Sequence, residues 1–115
     1  MNIDKKVKYW LEIADYDIKT AKVLLTGKRF LYVGFMCHQV IEKNLKAYYI
    51  FNLGKIPPFT HSLSQLAKLN RLYTKFSTQQ KDFLDTLEPL NIQARYPTSK
   101  VQLIKNLNEN KCKQI

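Results

Sequence analysis

Glycine and proline are scarce in this chain: three Gly and four Pro among 115 residues. That scarcity suits long helices joined by short links. Cysteine is scarcer still. Cys37 and Cys112 cannot build a disulfide framework, and no CxxC or Cys/His spacing points to zinc. The opening MNIDKKVKYW has no apolar core of a secretory leader. The longest apolar run, Phe30 to Phe51, could span a bilayer by length, but His38, Glu42, Lys43 and Lys46 near its middle argue against it. No repeat or low-complexity tract is present. These absences leave a single domain of ordinary core size, expected in the cytoplasm, with no membrane, metal or cofactor implied.

Acid is also in short supply. Nine Asp and Glu face nineteen Lys and Arg, a net charge of +10. From Lys43 to Lys81 there is no acid at all, while Lys46, Lys55, Lys68, Arg71 and Lys75 lie between. A basic balance invites a polyanion such as RNA, DNA or a nucleotide, or an acidic protein. Only three of the nineteen basic residues are Arg (Arg29, Arg71 and Arg95), whereas phosphate sites favour its planar fork. Compositional background is therefore an equal reading of the charge.

What is present is helical periodicity. Ile3, Val7, Trp10, Leu11, Ala14, Ile18, Ala21 and Leu25 recur at threes and fours, which predicts a helix from Ile3 to Thr26 with Gly27 as its cap. Its opposite face carries Lys8, Glu12, Asp15, Lys19 and Lys22. Asp17 lies close to the apolar stripe, where a base on the second helix would pair with it. The link of residues 27–29 is short enough to make the first two helices an antiparallel hairpin. The second helix, Phe30 to about Leu53, is apolar around most of its circumference and is expected at the centre of the fold. Thr60 or Ser62 caps a third helix, with Leu63, Leu66, Leu69 or Asn70, and Tyr73 facing inward. Ser62 with Gln65 and Ser77 with Gln80 both fit a capping box. A fourth helix carries Phe83, Leu84, Leu87, Leu90 and Ala94, with a kink or break expected at Pro89. Thr98 or Ser99 starts a fifth, through Val101 and Leu107 to the end of the chain.

One arc of the second helix differs from the rest. His38, Gln39, Glu42, Lys43 and Lys46 fall within about 140° of each other, as its one wet face or its one working face. As a nucleotide pocket, Lys43 or Lys46 meets phosphate, His38 donates or accepts, and Gln39 reads a base edge or ribose. As a polar seam, the same ladder supplies its own partners and joins the helix to a neighbour or a second subunit. His61 reads as a ring tied to a structural partner or as a site residue. Arg95-Tyr96-Pro97 ends the fourth helix: Arg95 reaches phosphate with Tyr96 stacking a base, or Arg95 pairs with Glu42 or Asp17 inside the bundle. Tyr48, Tyr49, Ile50 and Phe51 read as base-stacking residues or, at helical spacing, as core or dimer face.

Four motifs in order, W..IA..D...A from Trp10, HQ..EK.LKA from His38, TH.L..L from Thr60 and ARYP ending at Pro97, resemble the HEPN domain family (higher eukaryotes and prokaryotes nucleotide-binding). The resemblance implies an all-α, antiparallel up-and-down bundle of four to five helices, often a homodimer. It implies a partner, a minimal nucleotidyltransferase, in some cases as a toxin–antitoxin pair. Some members are metal-independent ribonucleases with an Arg four to six residues before a His. Here Arg29 precedes His38 by nine, and neither Arg71 nor Arg95 is followed by a His. The last helix is also shorter than is usual in the family. A non-catalytic nucleotide- or RNA-associated module, with candidate residues His38, Gln39, Glu42, Lys43, Lys46, His61, Arg95 and Tyr96, is the expected function. A ribonuclease toxin using His38 or His61 with Arg95, or a helical interaction module without ligand, is the alternative.

Overall fold

The computed structural model describes residues 3–93 and 108–115. Five α-helices and one 3-10 turn account for the regular structure among these residues. They are α1 (Ile3–Thr26), α2 (Phe30–Leu53), α3 (Leu63–Leu69), the turn Tyr73–Lys75, α4 (Thr78–Gln93) and α5 (Glu109–Gln114). Helix α2 packs against α1, α3, α4 and α5 and is the central rod of the bundle. Helices α1 and α2, 24 residues each, are about 36 Å long and lie along a molecule whose longest extent is 42 Å.

The helix ends follow local chemistry. Helix α2 closes on Gly54, left-handed at φ 65°, whose N–H donates to the Ile50 carbonyl. At the end of α1 the left-handed residue is Lys28 (φ 59°), not the expected Gly27. The amides of Lys28 and Arg29 donate back to Leu25 and Leu24, a Schellman closure, while the Gly27 amide donates to the Val23 carbonyl. A cation at that place also favours the helix dipole. The Ser77–Gln80 capping box forms in both directions. The Ser62–Gln65 box forms only in part. Ser62 Oγ accepts from the Gln65 amide, but the Gln65 side chain takes the Thr60 hydroxyl, and Thr60 in turn receives the Ser62 amide.

The core is built from Val33 and Leu45 of α2, Leu63, Leu66 and Ala67 of α3, Leu84, Leu87 and Leu90 of α4, and Cys112 of α5. Of the alternatives on α3, Asn70 turns inward and Leu69 outward. Asn70 donates to the carbonyls of Leu45 and Leu66, which ties the end of α3 to α2. Both thiols are free, and burial pushes both up from their ordinary value, so they remain protonated. Cys112 is in the core and Cys37 packs against it.

Two expectations need correction. Helix α4 runs unbroken through Pro89. Pro89 and Asp85, whose carbonyl loses its partner, are both exposed, so the missing bond falls on the solvent side of the helix, while Leu87 and Leu90 hold the helix to the core. On α1 only Ala14 and Ala21 are fully buried, and Ile3 and Leu11 remain 46% exposed. Ala94, Arg95, Tyr96, Pro97 and the start of the fifth helix lie outside the described residues.

Gly34 lets α4 approach α2: a Cβ there would run into the Leu90 side chain, which is itself buried. Gly34→Val should therefore destabilise the bundle by roughly 1–3 kcal/mol, measured by urea unfolding at unchanged m-value.

Candidate functional site: a buried carboxylate beside an aromatic pocket

The polar arc of α2 does not face water. Glu42 is 0% exposed, His38 1%, Lys46 7% and Gln39 9%, while Tyr48 and Phe51 of the same helix are exposed. A carboxylate removed from water must be met by donors, and the neighbouring elements supply them. Oε2 of Glu42 accepts from Lys46 Nζ at 3.0 Å, and Oε1 accepts from His61 Nδ1 at 2.9 Å. Lys43 Nζ lies 3.7 Å from Oε2. Burial alone would push the Glu42 carboxyl up. The hydrogen bonds from Lys46 and His61, with the charges of Lys46 and Lys43, outweigh it and hold the group below its ordinary range. It is ionised at neutral pH.

His38 sits against the same carboxylate, Nδ1 to Oε1 at 3.7 Å, too long for a hydrogen bond. Burial lowers its pKa, against the opposing pull of Glu42 and a hydrogen bond to the His61 backbone. The ring is neutral. Gln39 donates to Asn91 of α4 at 3.0 Å and accepts from Lys43 at 3.1 Å. The lysines in turn lie over Trp10 of α1, Lys43 at 5.4 Å and Lys46 at 5.6 Å from the ring centroid, within cation–π range. Asp17 takes the place expected for it, half-buried and near Lys43. Burial raises its carboxyl and Lys43 opposes that shift.

His61 is positioned from the other side. Glu88 of α4 accepts from the Ser62 hydroxyl and the Ser64 amide at the start of α3, which fixes the residues carrying the ring. The His61 side chain is 59% exposed although its Nδ1 is bound to a fully buried oxygen.

Next to this cluster is a pocket of about 260 Å³. It is lined by Lys6 and Trp10 of α1, Lys46 and Ile50 of α2, and Ile56, Pro57, Pro58 and Phe59 of the following loop. Phe59 is fully exposed at its edge. The structure thus unites His38, Gln39, Glu42, Lys43, Lys46 and His61 in one network. Of these only Lys46 reaches the pocket wall. Arg95 and Tyr96 lie outside the described residues. Sequence reasoning missed Lys6, Phe59, Glu88 and Asn91 as members. Trp10 carried a signal, as the single tryptophan within the first motif. Asn91 carried none, being 52 residues from its partner.

Arg29 lies about 13 Å of helix rise before His38, not one turn away. Among the described residues no group of three or more His, Cys, Asp or Glu is placed to hold a metal ion, and no helix is long and apolar enough to cross a membrane.

A family model, the HEPN domain, matches residues 7–115, nearly the whole chain, and the chain belongs to that family. No curated protein and no solved structure matches it.

Two outcomes follow from the network. Lys46→Met leaves the Glu42 carboxylate short of its closest cation and should cost roughly 3–5 kcal/mol of stability, read by chemical denaturation at pH 7. Acid should also destabilise the wild type in two stages. The folded pKa of His38 lies below its ordinary 6.5, so the unfolded chain takes up that proton first and stability falls as pH drops below 6.5. Glu42, held below its ordinary 4.5, contributes stability above 4.5 that is lost as pH falls through its folded value. His38→Gln should abolish the first stage and leave the second.

Proposed function

We propose that this HEPN-domain protein is a non-catalytic nucleotide- or RNA-associated module that works beside a minimal nucleotidyltransferase. The observation that carries the reading is the pocket in which Lys6 and Lys46 meet Trp10 and Phe59. Stacking a base on an aromatic ring while an ammonium meets phosphate is the usual physics of nucleotide capture. The site's charge supports it. The pocket lining carries Lys6 and Lys46 and no carboxylate, so a ligand there meets positive charge. In this reading Lys46 has a double role, at Glu42 and at the pocket wall. His38, Gln39 and Glu42 hold that wall in place and do not touch ligand, which moves their role from contact to support. The nucleotidyltransferase partner rests on family membership, since such enzymes and HEPN proteins frequently occur together.

One observation favours a second reading. His61 is bound through Nδ1 to a buried carboxylate while its ring is largely exposed, an arrangement that suits a general base. The missing Arg–x4–6–His spacing speaks against the family's ribonuclease chemistry, so RNA cleavage ranks second.

The test is thermal unfolding with ATP, GTP and a short single-stranded RNA. A ligand that binds the folded state at one hundred times its Kd adds about 2.7 kcal/mol. We expect a rise in Tm with at least one of these, lost in Phe59→Ala and in Lys6→Glu, both of which leave the Glu42 network intact. No shift with any of them contradicts the proposal. RNA cleavage by the wild type that disappears in His61→Ala would replace it with the second reading.

A further inference from the structure

A second hollow of about 260 Å³ lies where α2 and α3 both end. Asn52 and Leu53 of α2 line it, with Leu69 of α3 and the two residues that follow, Asn70 and Arg71. It shares no residue with the Trp10–Phe59 pocket. Four of the five are exposed and form a rim, while Asn70, 5% exposed, is the floor. Asn70 Nδ2 donates to the carbonyls of Leu45 and Leu66. Those two bonds fix the orientation of the amide, because a flipped one would set its oxygen against both carbonyls. Oδ1 is left buried with no donor, a costly state for an acceptor. We propose that this hollow binds a small amino-acid zwitterion, whose ammonium donates to Asn70 Oδ1 and whose carboxylate pairs with Arg71.

Each half of the ligand answers one feature of the hollow. Oδ1 needs a donor, and the C-terminal ends of two helices bring partial negative charge to the same place, so a cationic donor is favoured over a neutral one. Arg71 lies in the stretch from Lys43 to Lys81 that holds no acid, and no carboxylate pairs with it among the described residues. Its planar fork suits a carboxylate. The Asn52 carboxamide serves either charge, and Leu53 and Leu69, 47% and 42% exposed, offer contact to an aliphatic side chain. A lone cation is repelled by Arg71, and a lone anion leaves Oδ1 without a donor. A nucleotide finds no aromatic ring to stack on. Water at Oδ1 fills only a small part, since the hollow is many times the roughly 30 Å³ that one water takes.

The backbone holds the cation in place. The amides of Arg71 and Leu72 donate back to Lys68 and Ala67, and Arg71 is left-handed at φ 60°, where a glycine usually closes a helix. The guanidinium is thus carried on a hydrogen-bonded turn. Arg71→Gly removes it while suiting that turn better, which separates binding from folding. This site goes beyond the nucleotide reading and does not depend on it.

An amide NMR titration of the full chain with L-leucine and L-alanine tests the proposal, with acetate and methylammonium as the two halves of the ligand. One of the amino acids should move the Asn52, Asn70 and Arg71 amide signals and saturate with a Kd on the order of 1 mM or tighter. Neither half should saturate in the same range. Arg71→Gly should abolish the response while its ligand-free Tm stays at or above that of the wild type, and Asn52→Ala should weaken binding by about tenfold. No saturable shift at these amides by about 20 mM, twenty times that Kd, overturns the proposal. So does an undiminished response in Arg71→Gly, or acetate or methylammonium binding as well as the amino acid. Nucleotide-induced thermal shifts should be the same in Arg71→Gly as in wild type, so failure here is distinguishable from failure of the nucleotide reading.

Discussion

The Glu42 carboxylate has no access to water, and the elements around it are arranged to meet that fact. Lys46, one turn along the same helix, takes one oxygen, and His61, from the loop before α3, takes the other. Trp10 of α1 covers the two lysines, and Glu88 of α4 secures the turn that carries His61. Three helices and a loop are thereby registered on one atom group. A buried ion pair is weak evidence for stability in itself. Its contribution here is positional, because the charge penalises any packing of α1 or of the 54–62 loop that leaves an oxygen without a donor.

That positioning carries through to the surface. The ammonium that satisfies Glu42 is also part of the wall of the Trp10–Phe59 pocket, so the network sets the place and the sign of the field a ligand would meet. A lysine held by a carboxylate and an indole is fixed in place before a ligand arrives and loses little freedom on binding. The ordering cost has been met by folding. In a chain with nineteen basic residues, fixed geometry is what separates this cluster from general basicity.

Much of the fold was legible because it is local. The bounds of α1, the Gly54 end of α2 and the Ser77–Gln80 box all depend on residues within one or two turns, and each stands where spacing and capping rules place it. What sequence left open was anything set by distant partners. The arc His38 to Lys46 was visible as a ladder, but whether it faced water or protein depended on His61 and Asn91, which lie 19 and 52 residues from their partners in it. Amphipathicity marked Ile3 and Leu11 as inward, yet periodicity names a face and not what covers it. Pro89 fails as a breaker because its helix is held from outside by Leu87 and Leu90, a tertiary effect that overrides a local rule. The Phe59 edge of the pocket arises only when the 54–62 loop folds back to α1.

The central claim is that Glu42 is ionised and fully engaged in the folded protein. The direct measurement is a carboxyl 13C NMR titration of the Glu42 side chain. The account predicts a carboxylate signal through neutral pH that protonates below 4.5, at or near the onset of acid unfolding. A Glu42 signal that titrates above 4.5 while the fold remains intact would contradict it.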